Sequence, residues 1–271
     1  MIISKQNGKL VLVRQDEHMI HAGEITQRWG NDFVAKPDPN DAVVMAIGNH
    51  DVGWTEIDDL LPFDHEKSRP VNFLDVDLKQ HVDFYGKGYQ QIVEQNKYAG
   101  LLLGMHWIGL YTSRFGYDPT FTYKAPAELK PFMHQTISEQ EKKWVDIKQE
   151  IWNFNQSRRE FEDNIWLHYE LFQIMDRLSL FICLNDLNAK SKVELGPVRF
   201  TKDGDYHFLS VESNGNGEIS VDPFPFDREF EVSVPLRRIP DVNYSSEKHY
   251  RESFISTPIE ILKAKLVRKR N

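Results

Sequence analysis

The chain has 271 residues, 40% of them hydrophobic and 27% charged, with a formal net charge of −8. That length buries a sizeable core in an ordinary globular composition, and the acidic balance argues against a general nucleic-acid binder, so no nucleic-acid partner is expected. A single cysteine, Cys183 in an apolar run, rules out an intrachain disulfide and reads as a buried thiol in a reducing compartment.

The opening reads as a hairpin: Ile2-Ile3 and Leu10 to Val13 flank the turn dipeptide Asn7-Gly8. No signal-peptide pattern precedes it. A helix follows from about Asp16 to Trp29, and the loop Pro37 to Asp41 breaks it. Asn40 or Asp41 can cap a second, almost wholly apolar helix, Ala42 to Asn49, which ends at His50-Asp51. Residues 53–72 read as irregular, with Pro62, Pro70 and many acids, a composition suited to a lid or binding loop. Helices are expected from Asp77 past Glu94 and from Lys97 to Thr112. Irregular chain is expected over 114–135. Ser138-x-x-Glu141 has the form of a capping box opening a long helix, and another helix runs from Arg158 to Leu184. The apolar stretch Ala99 to Leu110 is interrupted by His106 and glycines and is too short to span a bilayer. No membrane association is expected, and the location is read as cytoplasmic. After Asp186 short strand-like runs alternate with turn dipeptides such as Asp203-Gly204, and Ile259 to Val267 is a strand or a short helix. The basic end, Lys263 to Arg270, reads as a solvated tail.

Four ionisable residues stand out against this background: His18, His50, Asp51 and Asp176. His18 alone is an ordinary helical histidine. An imidazole and a carboxylate side by side at the end of an apolar helix are different, because burying both is costly unless both are satisfied. Asp176 sits in Leu171-Phe-Gln-Ile-Met-Asp-Arg-Leu-Ser. Arg177 points to another side of that helix, so the partner of Asp176 must come from elsewhere; Arg28 and Lys143 are candidates for a plain salt bridge. A metal ion would satisfy all four at once.

The order His, His-Asp, Asp on successive helices resembles the HD superfamily of metal-dependent phosphohydrolases. Ala46-Ile-Gly-Asn-His50-Asp51-Val-Gly53 is similar to that superfamily's apolar helix running into His-Asp-x-Gly, and Asp176-Arg-Leu-Ser to its late Asp-Arg-Leu segment. The chain also resembles an uncharacterised bacterial family with an HD-like helical core. The resemblance implies a mainly α fold. An HD-like helical bundle over residues 1–186 would carry an N-terminal β-hairpin, and a β-rich C-terminal segment over 187–271 would pack on it, α+β overall. It also implies one or two divalent transition-metal ions, with Fe, Mn, Zn and Ni not distinguished. Two-metal members of the superfamily place further histidines between the His-Asp pair and the last Asp; here those are His81 and His106, with Asp51 bridging. His21 is then a supporting or packed side chain. Where many members carry Lys after the glycine, this chain has Trp54, and Lys67, Arg69 and Arg114 are the cations available to bind substrate in its place.

Three functions follow from this reading. The first is metal-dependent hydrolysis of a phosphate ester by a metal-activated water, with Asp51 both ligand and catalytic group. The second is an HD-type di-iron oxygenase using His18, His50, Asp51, His81, His106 and Asp176. The third is a non-catalytic, metal-stabilised binding protein. Glu56, Asp58, Asp59 and Asp64 could serve as general acid or base beside a metal-held water. The expected partner is a small-molecule substrate, possibly phosphorylated, and the oligomeric state is open.

Overall fold

The computed structural model describes residues 1–117 and 125–270. The first hairpin, β1 (Ile2–Gln6) and β2 (Lys9–Val13), turns through Asn7 and Gly8, both with positive φ, as the dipeptide demands. α1 (Gln15–Thr26) carries Asp16 and Glu17 in its first turn, where carboxylates favour the positive end of a helix. α2 (Asn40–Gly48) is closed by Asn49, whose side chain donates to the Met45 carbonyl. The stretch read as irregular is short but structured. It holds a 3₁₀ turn over Val52–Trp54, α3 (Thr55–Leu60), and a small hairpin of β3 (Phe63–Asp64) and β4 (Arg69–Pro70).

Asp77 caps α4 (Leu78–Gln95), and Asn96 caps α5 (Lys97–Gly109), which is buried from Ala99 to its end. α6 (Lys130–Ile151) starts eight residues before the expected capping box. Ser138 and Glu141 therefore lie inside it, and Pro131 in the first turn marks the true start. The capping box is at Ser157 and Glu160, opening α7 (Arg158–Leu184). Of the irregular stretch expected over 114–135, residues 118–124 lie outside the described ones.

Five strands follow: β5 (Lys190–Arg199), β6 (Tyr206–Asn214), β7 (Glu218–Asp222), β8 (Phe230–Pro240) and β9 (Glu260–Arg268). α8 (Glu247–Ser256), which has no counterpart in the sequence reading, sits before the last. Along β8, Val232, Val234 and Leu236 are buried while Glu231 and Ser233 are exposed, the two-residue period of a half-buried strand.

The expected mainly α, HD-like bundle is overturned here. β1 and β2 do not stand apart from the C-terminal strands: Lys9 pairs with Pro240 and Leu12 with Arg237. One seven-stranded sheet results, in the order β1-β2-β8-β9-β7-β6-β5, antiparallel except at β7–β9. The fold is α+β. Strands β1 and β2 of this sheet precede residue 186 and β5 to β9 follow it, and one hydrophobic core runs from Ile47, Leu102 and Phe172 on the helices to Val211, Ile219 and Leu266 on the strands. No helix among the described residues is long and apolar enough to cross a membrane.

Candidate metal centre

α1 and α2 cross at Gly23 and Gly48, where a Cβ on Gly23 would stand 2.8 Å from the Gly48 Cα. That backbone contact sets His18 against His50, and their Nε2 atoms are 3.2 Å apart. Gly53 makes a second close approach: a Cβ there would meet the Phe84 carbonyl oxygen at 1.9 Å, so the chain after Asp51 lies directly on α4. Asp51 is thereby brought to Tyr85, whose hydroxyl donates to Oδ1 at 2.6 Å, while Oδ2 is 3.4 Å from His50 Nε2. α7 supplies Asp176, with Oδ1 3.1 Å from His18 Nε2 and 3.6 Å from His50 Nε2. All four residues are buried.

The tautomers point the same way. Ser179 donates its hydroxyl hydrogen to the His18 carbonyl at 3.0 Å, so its oxygen accepts from Nδ1 of both His18 and His21, each at 2.8 Å. His50 donates Nδ1–H to the Ile47 carbonyl at 2.7 Å. Both Nδ1–H groups therefore face outward, and the Nε2 atoms of His18 and His50 face each other across 3.2 Å with two carboxylates beside them, where a shared proton or a metal ion would be held. Ligand atoms bound at 2.0–2.2 Å and subtending tetrahedral or octahedral angles stand about 3–3.5 Å apart. The spacings here match that. His18, His50 and Asp51 offer ligand atoms all within 4.8 Å of one another; Asp176 lies outside that group and approaches it through the Nε2 atoms of His18 and His50.

Electrostatics also leave room for a cation. Two buried carboxylates face one fixed positive charge, Arg114, whose Nη2 donates to Asp176 Oδ2 at 3.0 Å. Burial disfavours a charged His50, yet Asp51 and Asp176 outweigh it and raise its pKa to about 9, so a proton stands in for the missing charge. Burial likewise opposes ionisation of Asp51, but the neighbouring His50 brings it down to about 2. Asp176 is held well below the usual carboxylate range, against burial, by the His18 hydrogen bond and the charges of Arg114 and His50.

The other expected residues fall into two groups. His81, His106 and Arg114 border the quartet. His106 packs edge-on to His50, with ring centroids 5.2 Å apart, and His81 lies against Tyr85 at 4.8 Å, its Nδ1 2.7 Å from the Tyr111 hydroxyl. Burial pushes both imidazoles, and that of His21, down to about 3. Neither His81 nor His106 joins the ligand group among the described residues. Arg114 is buried and delivered by three successive left-handed residues, Ser113, Arg114 and Phe115, a costly conformation for side chains with a Cβ.

Lys67 and Arg69 do not join the site. Lys67 is exposed and pairs with Asp64 and Asp75, and Arg69 binds Asp241. Of the acidic candidates, Asp58 is buried and accepts from the Gln15 amide at 2.6 Å and the α-amino group at 2.7 Å. Asp59 pairs with Arg14, while Asp64 accepts from the Glu66 and Lys67 amides. Trp54 is a buried wall, with its ring 5.4 Å from that of His81. Sequence reasoning missed Tyr85, Gln173 and Ser179. Gln173 and Ser179 lie three residues either side of Asp176, a polar stripe on an otherwise apolar helix.

Residues 1–241 match a family model described as "Protein of unknown function (DUF3891)". The chain belongs to that family. No curated protein and no solved structure matches this DUF3891 member.

Proposed function

We propose that this DUF3891 protein is a metal-dependent hydrolase of phosphate esters, related to the HD superfamily, with one divalent transition-metal ion held by His18, His50, Asp51 and Asp176. One observation carries the reading: the contacts His18–Asp176, His18–His50, His50–Asp51 and His50–Asp176, at 3.1–3.6 Å, link four donors in the order His, His-Asp, Asp, with both imidazole Nε2 atoms turned inward. Such an ion lowers the pKa of water and offsets charge on phosphoryl oxygens.

The protein's own groups then have separate tasks. Tyr85 pins Oδ1 of Asp51, so Oδ2 faces the centre and is the carboxylate oxygen that would hold the ion. Arg114 holds the outer oxygen of Asp176, and its Nε–H is buried with no partner among the described residues. A guanidinium paired to Asp176 that keeps a spare donor suits a phosphoryl oxygen. It replaces the lysine expected at the position of Trp54.

The same details favour one ion over two. The second oxygen of Asp51 is taken by Tyr85, and the charge of Arg114 lies where a second cation would be repelled. That weighs against the di-iron oxygenase reading.

Elemental analysis of protein as purified, or after titration with Mn, Fe or Zn, tests this. One first-row transition metal per chain is expected, lost in Asp51→Ala, with metal-dependent hydrolysis of p-nitrophenyl phosphate. Protein that takes up no metal overturns the reading. Two irons with a visible absorption band establish the oxygenase instead. Metal without turnover on any phosphate ester, and only a stability loss in Asp51→Ala, establishes the binding protein.

A further inference from the structure

His106 reaches the centre from α5 with its ring stacked on Phe172, centroids 4.6 Å apart and planes 7° from parallel. Its Nδ1 is 3.4 Å from Gln173 Nε2. The orientation of that amide is decided by its other neighbour. Arg114 Nη1 donates to Gln173 Oε1, and a guanidinium has no acceptor, so the amide oxygen must face Arg114 and the NH₂ must face His106. The Nδ1 atom of His106 therefore accepts. A neutral imidazole whose Nδ1 accepts carries its proton on Nε2. The order of control runs from Asp176 through Arg114 and Gln173 to His106. His18 and His50 show the opposite pattern, with Nδ1–H donated outward and Nε2 turned to the carboxylates of the centre.

We propose that His106 is a neutral hydrogen-bond donor of the site and not a metal ligand, with Arg114 and Gln173 as positioning residues that fix its tautomer. Its Nε2–H is offered to a substrate oxygen that gains negative charge during reaction, the task of an oxyanion-hole donor. Among the described residues no hydrogen-bond partner meets that Nε2. The substrate class rests on the hydrolase reading above; the tautomer does not.

Nitrogen-15 NMR of the imidazoles, in wild type and in His106→Ala to assign the signal, reads the tautomer directly. The expected result is an Nε2-protonated His106 that becomes Nδ1-protonated in Gln173→Glu, because a carboxylate accepts from both Arg114 and His106. Metal content should be unchanged in His106→Ala, while turnover falls about 100-fold or more, and His106→Gln, which keeps an N–H donor, should restore part of it. An Nδ1-protonated His106 in the wild type overturns the proposal. So does loss of the ion from a folded His106→Ala protein. If no phosphate ester is hydrolysed, the hydrolase reading fails, and the NMR and metal counts still decide the role of His106.

Discussion

The crossing of α1 and α2 is the most sensitive point of the centre, because Gly23 follows His18 on α1 and Gly48 ends α2 two residues before His50. A Cβ added to Gly23 would lie 2.8 Å from the Gly48 Cα, against an ordinary contact of 3.4 Å or more. The neighbour is backbone and cannot rotate away, so the helices must part by roughly 0.6 Å, an overpacking cost of about 1–3 kcal/mol. Better helix propensity returns at most about 1 kcal/mol. A Cβ on Gly48 meets the Gly23 Cα at 3.5 Å, which needs no movement. Gly48→Ala should therefore stay within about 0.5 kcal/mol of wild type. A separation of roughly 0.6 Å exceeds the tolerance of about 0.5 Å within which a functional constellation must be held. Gly23→Ala should thus bind metal at least about tenfold more weakly, and Gly48→Ala should bind as wild type does. Urea denaturation and competition against a chromophoric chelator measure the two effects. Equal metal affinity in the two variants would refute the claim that this contact sets the spacing of His18 and His50.

Asp176→Asn should destabilise the metal-free protein by about 3–5 kcal/mol, because it leaves the buried Arg114 guanidinium without a counter-charge. Adding Arg114→Met should recover part of that loss, and a single variant within 1 kcal/mol of wild type contradicts the pairing. Ser179→Ala removes the acceptor shared by His18 and His21; a cost of about 1–3 kcal/mol is expected, with metal affinity weakened about 10–100-fold, and unchanged affinity by chelator competition argues against its role. A histidine whose folded pKa is raised contributes stability in full below its unfolded pKa of about 6.5 and loses it as pH rises through the folded value. With His50 raised to about 9, the metal-free protein should become less stable between those limits, and saturating metal should remove the decline. Denaturation curves from pH 6 to 9.5, with and without metal, check this; a flat metal-free profile counts against it.

The quartet was legible because its signal is local. An ionisable group amid apolar helix residues must find a partner, whatever the fold. The identity of the partner is a different matter. Glu170 lies in the same apolar stretch of α7 as Asp176 and is as deeply buried, yet it is spent on an ion pair with Arg199 that ties α7 to β5. Neither suggested salt-bridge partner of Asp176 reaches it: Arg28 faces Asp227 and Lys143 lies over the Tyr89 ring. Arg114 reaches it only because three left-handed residues turn it inward, a conformation that Ser-Arg-Phe does not announce.

The helices and strands followed the same division. The helix read from Arg158 to Leu184 coincides with α7, and the strand-like runs after Asp186 fall along β5 to β8. The capping-box pattern at Ser138 misplaced the start of α6, since a motif of two residues is outvoted by an amphipathic helix running through it.

By itself the sequence determined which groups demand partners and where the longer helices α1, α2, α4, α5 and α7 run, because burial cost and periodicity act over a few neighbouring residues. Only the tertiary structure decided that the N-terminal hairpin joins β8 in one sheet, that two glycines bring two imidazole Nε2 atoms face to face, and that Arg114 and Gln173 meet beside His106. Those outcomes depend on contacts between segments far apart in the chain, whose geometry is set by packing and leaves no local trace in residue order.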